Sequence, residues 1–154
     1  MRLNHAWIAA HIPHQGDMCL LDEVLEWNVN EISCRTGSHR RRDNPLRTAH
    51  ELPAVCGIEY AAQAIALHGV LCAARQASTA PLPGMLASVR NVTLHVDRLD
   101  DIEADLMIVG TRVSATADAL LYDFRVAWDL RVLLSGRSTI YLRLPLASTA
   151  PRLP

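Results

Sequence analysis

Apolar residues alternate with polar ones along several stretches of the chain, a period-two pattern that predicts half-buried strands. Two early strands are expected at residues 18–27 and 32–36. From residue 84 to residue 144 the sequence reads as strand after strand, separated by short polar turns. Residues 3–12 predict a short helix that ends at Pro13.

The segment from residue 52 to residue 76 has a different pattern. It is rich in alanine, carries few polar residues and has Pro53 in the position of a first helical turn. A helix of this kind has no face to offer to water, so we expect it to be buried on all sides. A membrane span is the competing interpretation, but Glu59, Gln63 and His68 lie inside the segment and alanine supplies most of its bulk. We therefore predict a buried core helix.

Two strands, one long helix and then three or four further strands predict an α+β domain whose antiparallel sheet wraps the helix. The chain has 154 residues, half of them apolar, which is enough for one domain with one core. We place this domain at residues 1–145. Residues 146–154 are expected to form a flexible C-terminal tail.

Composition excludes several classes of function. The formal charge of −1 provides no overall field that would attract nucleic acid. All 15 basic residues are arginine, which excludes lysine chemistry such as Schiff-base formation. The four cysteines are well separated in sequence, which favours reduced thiols in a cytoplasmic protein. No His, Cys or Asp cluster has metal-ligand spacing, and no cofactor is implied.

Glu59 is the most informative polar residue, because an ionised carboxylate inside a dry helix is costly unless it has a partner. One interpretation is electrostatic, since the dipole at the N-terminus of a helix stabilises a carboxylate. The functional interpretation is a carboxyl group that burial keeps protonated and that acts as a general acid toward a leaving hydroxyl. Gln63, one turn later, either fixes this carboxyl or is a core amide satisfied by the backbone.

Three strings follow one another along the chain: IPHQGDMCLLDEVLEW at residues 12–27, GIEYAAQA at residues 57–64 and LASVRNVTLHVDRL at residues 86–99. Together they resemble the 3-hydroxyacyl-[acyl-carrier-protein] dehydratases, and among these the dehydratase-like proteins of aryl polyene gene clusters. The resemblance implies a hot-dog fold, in which a curled antiparallel sheet of five to six strands wraps one long central helix. It also implies dehydration of 3-hydroxyacyl thioesters carried by acyl carrier protein.

The resemblance implies roles for individual residues. Glu59 would supply the acid, and the base would be a histidine, either His50 just before the helix or His14 in the opening string. In the family the loop histidine stands further ahead of the helix acid than His50 stands ahead of Glu59, so His50 requires a shortened loop. Gly57 either lets a backbone N–H polarise the thioester carbonyl or allows a close helix–strand contact. We expect Gly57 and Gln63 to contact the substrate.

Arginines 40, 41, 42 and 47 are concentrated directly before the helix. They either form an ordinary solvated loop or steer an acidic carrier protein and hold the phosphate of its phosphopantetheine arm, with Arg47 as a substrate-binding residue. The resemblance implies a homodimer, or a heterodimer with a paralogous dehydratase. The charge and the helix composition predict neither a nucleic-acid nor a membrane partner. Two rival functions stay open: an acyl thioesterase in which Glu59 activates water, and a non-catalytic subunit of a dehydratase pair.

Overall fold

The computed structural model describes residues 3–76 and 84–142, and the tail predicted at residues 146–154 lies outside them. The described part contains two α-helices, seven strands and three short 3-10 turns. In chain order the elements are β1 (Leu3–Asn4), α1 (His5–His11), a turn (Gly16–Met18), β2 (Glu23–Trp27), β3 (Glu31–Thr36), a turn (Ser38–Arg40), a turn (Ala54–Cys56), α2 (Gly57–Arg75), β4 (Gly84–Leu94), β5 (Leu106–Ala115), β6 (Ala119–Trp128) and β7 (Arg131–Leu142).

The seven strands form one antiparallel sheet in the order β1-β2-β3-β5-β6-β7-β4, so β1 and β4 are its edges. The extra strand relative to the expected five to six is β1, in which Leu3 pairs with Val24 and Asn4 with Glu23. A ladder of two residues is too short to produce a period-two pattern in the sequence. Asn4 also caps α1 by accepting a hydrogen bond from the Trp7 N–H at 3.1 Å, which is why the helix begins at His5.

The first long strand begins at Glu23, five residues later than the sequence predicts. Cys19, Leu20 and Leu21 lie before it and are fully buried, yet they pair with no strand. Their apolar character reflects burial in the core rather than a place in the sheet. The prediction of a strand from residue 18 is therefore wrong at its start, because a short apolar run does not distinguish a strand from a buried loop.

Helix α2 packs against β3, β5 and β6 and forms the centre of the core. It is long and apolar enough to cross a membrane by length and composition, but more than half of the segment is buried inside the protein. Its buried residues include Tyr60, Ala64, Leu67 and His68. A curled sheet around one long helix confirms the predicted α+β architecture.

Burial of α2 on all sides is not observed in the single chain. The side that carries Glu59, Ala62, Ala66, Gly69 and Val70 is only partly buried, because the sheet covers the opposite side. The open side faces a cavity instead of packed side chains. The apolar composition of the helix thus has two causes, a packed core on one side and an apolar cavity on the other.

Candidate active site

Two titratable side chains that lie far apart in sequence meet at the start of α2. The Nε2 atom of His14 lies 2.9 Å from the Oε1 atom of Glu59. Glu59 is in the first turn of α2, and His14 follows Pro13 in the segment that leaves α1. The two side chains keep 27% and 31% of their surface exposed, respectively, so Glu59 is less enclosed than its apolar helix suggests. The carboxyl group is therefore partnered as well as partly solvated.

Gln63 ties this pair to the core. Its side-chain oxygen accepts a hydrogen bond from the Leu20 N–H at 2.9 Å, and its amide nitrogen donates to the Met18 carbonyl at 2.7 Å and to Glu59 Oε1 at 3.0 Å. The side chain is fully buried. Both interpretations of Gln63 are thus realised at once, because one amide satisfies buried backbone groups and orients the carboxyl. The segment after His14 is thereby joined to α2.

The hydrogen bonds around His14 favour one form of its ring. Nδ1 is buried and has no hydrogen-bond partner among residues 3–76 and 84–142. An N–H at that position would be buried without an acceptor, whereas a lone pair is less costly to leave unpaired. With Glu59 ionised, the favoured form is a neutral imidazole that donates through Nε2 to the carboxylate. In this form Nε2 holds a hydrogen, so it becomes a proton acceptor only when Glu59 is protonated and the ring hydrogen lies on Nδ1.

The pair lies on the wall of a cavity of about 660 Å³ between α2, the end of α1 and the strands β4, β6 and β7. Its titratable groups are His11, His14 and Glu59, and the rest of the wall is apolar. The other lining residues are Ile12, Pro13, Ala62, Ile65, Ala66, Gly69, Val70, Gly84, Met85, Leu86, Leu120, Ile140 and Leu142. A concave apolar cavity with a few polar groups on one wall is typical of small-molecule sites.

His11 is a residue of this cavity that the sequence analysis did not single out. Its Nδ1 lies 2.7 Å from the Trp7 carbonyl oxygen, and its ring stacks on the Trp7 ring with centroids 3.9 Å apart. Because a carbonyl only accepts, Nδ1 carries the hydrogen. The only sequence signal for His11 as a site residue was its position three residues before His14, on the other side of Pro13. A histidine at the end of a helix is often a simple cap, so this spacing alone carries little information.

His50, the other candidate base, lies elsewhere. It is exposed in the loop before α2, where its carbonyl accepts from Arg98 Nη2 at 3.3 Å and its N–H donates to Thr48 Oγ1 at 3.3 Å. It does not line the cavity. The structure thus brings His14 and Glu59 together and leaves His50 on the outside of the molecule.

Gly57 lies at the beginning of α2 and packs against the sheet. A Cβ atom at this position would lie 2.5 Å from Cδ2 of Leu134, so the close helix–strand contact requires glycine. The N–H of Gly57 already donates to the Ala54 and Val55 carbonyls. This N–H is therefore not free to polarise a thioester carbonyl, and of the two interpretations the structure supports packing.

The arginines before α2 are mostly neutralised by carboxylates. Arg47 Nη2 lies 3.4 Å from Asp100 Oδ2, and Arg47 does not line the cavity. The Arg98 guanidinium beside Asp100 holds the pKa of that carboxyl down at about 2, so the Asp100 charge persists at any ordinary pH. Three further ion pairs join Arg40 to Asp105 at 2.7 Å and Arg41 to Asp17 and to Asp43 at 2.9 Å each. Of the two alternatives for these arginines, the pairing of Arg40, Arg41 and Arg47 with carboxylates favours an ordinary loop of paired charges.

The buried histidines outside the cavity are structural. His68 lies between the Tyr122 hydroxyl and the Asn28 carbonyl, each 2.7 Å from a ring nitrogen, and burial lowers its pKa. His39 is also fully buried, its Nε2 lies 2.9 Å from the Ile102 carbonyl oxygen, and burial lowers its pKa. Both rings are therefore neutral at pH 7. No group of three or more His, Cys, Asp or Glu side chains within the described ranges could hold a metal ion.

The four cysteines are free, as the sequence predicts. Cys19 and Cys34 are buried, and burial raises the pKa of Cys34 to about 12. Cys56 and Cys72 are half-buried, and burial raises their pKa values as well. None of these thiols has the lowered pKa of a nucleophilic cysteine, so none of them is a candidate nucleophile.

Fold and site together define a hot-dog protein with an acid–histidine pair beside an apolar cavity, and comparison with known proteins makes the class specific. The family model described as "ApeP-like: ApeP dehydratase" matches residues 6–147. The chain therefore belongs to the ApeP-like dehydratase family. No individually curated protein matches it significantly.

Solved structures with the same fold include dehydratases and thioesterases. The dehydratase heterocomplex ApeI:P from Xenorhabdus doucetiae has a chain that is 23% identical with a TM-score of 0.79, over 89% of this chain and 91% of that one. Zebra fish thioesterase superfamily member 2 is 14% identical with a TM-score of 0.62, over 90% and 95%. Thioesterase HI1161 from Haemophilus influenzae is 11% identical with a TM-score of 0.58, over 82% and 81%. These similarities confirm the hot-dog fold.

Proposed function

We propose that this chain catalyses the dehydration of 3-hydroxyacyl thioesters, carried by acyl carrier protein, to trans-2-enoyl thioesters, as one subunit of a dehydratase heterodimer in the cytoplasm. The observation that carries the proposal is the 2.9 Å contact between His14 and Glu59 on the wall of the apolar cavity. Membership of the ApeP-like dehydratase family supports the reaction class. The apolar wall supports an acyl chain as the bound group.

The reaction needs a base at C2 and an acid at the C3 oxygen. The reactive form holds one proton more than the pair with Glu59 ionised: Glu59 is protonated, and the neutral ring of His14 carries its hydrogen on Nδ1 and its lone pair on Nε2. In the proposed mechanism Nε2 of His14 takes the C2 proton while the carboxyl group of Glu59 gives a proton to the departing C3 hydroxyl. The C2–H electron pair becomes the C2=C3 double bond, the C3–O bond breaks and water leaves. The imidazolium and the carboxylate that result are 2.9 Å apart, so one direct proton transfer restores both groups.

Gln63 is the positioning residue of this mechanism. Its amide nitrogen donates to Glu59 Oε1 at 3.0 Å and so fixes the rotamer of the carboxyl group. The same amide holds the backbone at Met18 and Leu20. One buried side chain thus holds both the carboxyl group of Glu59 and the segment that follows His14. Holding them in place limits the entropy lost when acid and base must face the same substrate.

The test is turnover of a 3-hydroxyacyl carrier substrate by Glu59→Gln and by His14→Gln. Each change should lower the rate by about 10²- to 10⁴-fold, the usual contribution of one general acid or base. Glu26→Gln is the matched control, because Glu26 is exposed on β2 and does not line the cavity. Unchanged turnover in Glu59→Gln would remove Glu59 from the acid role, and a loss in His50→Gln without a loss in His14→Gln would assign the base to His50.

The heterodimer is supported by the edge of the sheet and by the heterocomplex to which the chain is similar. Edge strand β4 exposes the large apolar residues Met85, Leu86, Val92 and Leu94 to solvent. An exposed apolar edge strand is a liability that pairing with a second subunit removes, and Leu86, Val92 and Leu94 are exposed on this one. Met85 and Leu86 also line the cavity, so a subunit on this edge would complete its wall.

Turnover should therefore be low for the chain alone and rise when a paralogous dehydratase subunit is added. In that assembly, Glu59→Gln in this chain separates two roles. Loss of turnover assigns the acid to this subunit, whereas full turnover identifies it as a non-catalytic partner. Release of free carrier thiol in place of a carrier-bound enoyl product would identify a thioesterase, the activity named for two of the structures with the same fold.

A further inference from the structure

The cavity extends along α2 away from the acid–histidine pair. Four of its lining residues, Glu59, Ala62, Ala66 and Gly69, recur on one face of the helix at spacings of three or four. Glu59 and Gly69 are ten residues apart, which at 1.5 Å per residue places them about 15 Å apart along the helix axis. The cavity is therefore elongated, with its chemistry at one end and Gly69 toward the other.

Beyond the polar groups, every lining residue that the structure describes is apolar. Across from the helix the wall is formed by residues such as Leu120, Ile140 and Leu142. The side chains of these residues offer no partner to a hydroxyl or an amide, and a polar group placed against them would lose its hydrogen bonds to water. What the far part of the cavity can accept is hydrocarbon. That this hydrocarbon is the acyl part of the substrate rests on the proposed function.

Gly69 differs from the other buried or half-buried glycines of the core. A Cβ atom at Gly69 would meet no atom of residues 3–76 and 84–142 within 4 Å, whereas at Gly57 it would lie 2.5 Å from Leu134 and at Gly110 3.2 Å from Ile65. Packing therefore does not require a glycine at this position, and its φ is not in the left-handed region. Glycine within a helix is less favourable than alanine. The absence of a side chain at Gly69 leaves this part of the cavity open.

We propose that Gly69 sets the length of acyl chain that the site accepts, because any side chain at this position would project into the far part of the cavity. Gly69 is a specificity-determining residue in this proposal and takes no part in the proton transfers. A larger residue should shorten the usable cavity without disturbing the pair of His14 and Glu59, about three turns of helix away.

The experiment measures kcat/KM of the assembled dehydratase for a series of 3-hydroxyacyl carrier substrates from short to long. In Gly69→Leu the short substrates should keep their kcat/KM within about twofold, and the long ones should lose about tenfold or more, as expected when a side chain overfills an apolar site. Gly69→Ala should lie between wild type and Gly69→Leu. Ala74→Leu, an exposed position on the same helix, should leave the profile unchanged.

Binding of unreactive acyl pantetheine thioesters of graded length is the second readout, because it does not depend on catalysis. Wild type should bind more tightly as the chain lengthens, and Gly69→Leu should stop gaining affinity at a shorter length. A uniform loss over all lengths, an unchanged profile, or wild-type binding that does not depend on length would each overturn the proposal. Length-dependent binding without any turnover would support the role of Gly69 while refuting the proposed reaction.

Discussion

Replacement of Gln63 by leucine is expected to weaken both the fold and the site. The leucine side chain has a similar volume but no polar atoms, so three hydrogen bonds disappear: those with the Leu20 N–H, the Met18 carbonyl and Glu59. Leu20 is fully buried, so its N–H loses a partner that water cannot replace. Met18 is only half-buried, so its carbonyl can be partly hydrated.

The magnitude follows from these environments. The unsatisfied Leu20 N–H costs about 1 to 3 kcal/mol, and each of the other two bonds contributes about 0.5 to 1.5 kcal/mol. The free energy of unfolding should therefore fall by about 4 kcal/mol, within a range of about 2 to 6 kcal/mol. For a domain of this size a loss of about 4 kcal/mol corresponds to a decrease in Tm of about 8 to 16 °C.

The assay is urea unfolding followed by tryptophan fluorescence, with the midpoint and slope fitted separately. The midpoint should shift while the slope stays constant, because the change removes bonds without altering the surface that unfolding exposes. Gln76→Leu is the matched control. Gln76 is exposed at the end of α2, and a surface change of this kind should stay within about 0.5 kcal/mol of wild type.

A second variant tests the cause of the effect. Gln63→Glu keeps an oxygen for the Leu20 N–H but sets a second carboxyl group beside Glu59, so its deficit relative to wild type should shrink as the pH falls and one carboxyl becomes protonated. A Gln63→Leu protein within about 0.5 kcal/mol of wild type would refute the reasoning. It would mean that the three bonds are exchanged for water without loss.

Two further outcomes are expected. Burial lowers the pKa of both His39 and His68. Below the ordinary histidine pKa of 6.5, the unfolded chain therefore takes up protons that the folded chain does not. The free energy of unfolding should fall with decreasing pH by up to about 1.4 kcal/mol per pH unit for each group, until the pKa of the folded state is reached. Urea midpoints measured from pH 7.5 to pH 5 check this, and a flat profile would contradict it. Gly57→Ala should lower the free energy of unfolding by about 1 to 3 kcal/mol, because the new Cβ atom clashes with Leu134. Gly69→Ala should raise it by about 0.5 to 1 kcal/mol, because alanine is more favourable than glycine within a helix. Thermal unfolding of the two variants side by side tests this contrast.

The candidate site shows how far sequence reasoning extends. Glu59 could be singled out from the chain alone, because a carboxylate in an apolar helix needs an explanation wherever the helix lies. Its partner could not be chosen. His50 is closer in sequence to Glu59 than His14 is, yet proximity along the chain says nothing about which loop passes the start of α2. The hydrogen bonds of Gln63 to Met18 and Leu20 settle that question in favour of the segment that carries His14.

The order of the main elements, the α+β class and the central helix were determined by the sequence. The reason is that strands and helices place apolar residues at different spacings, and these spacings can be identified directly in the chain. The sequence did not determine which side of α2 faces the sheet. The helix is apolar all round, so its pattern is the same for a packed face and for the wall of an apolar cavity. Only the curl of the sheet decides where packing stops, and it leaves Gly69 and Glu59 on the open side.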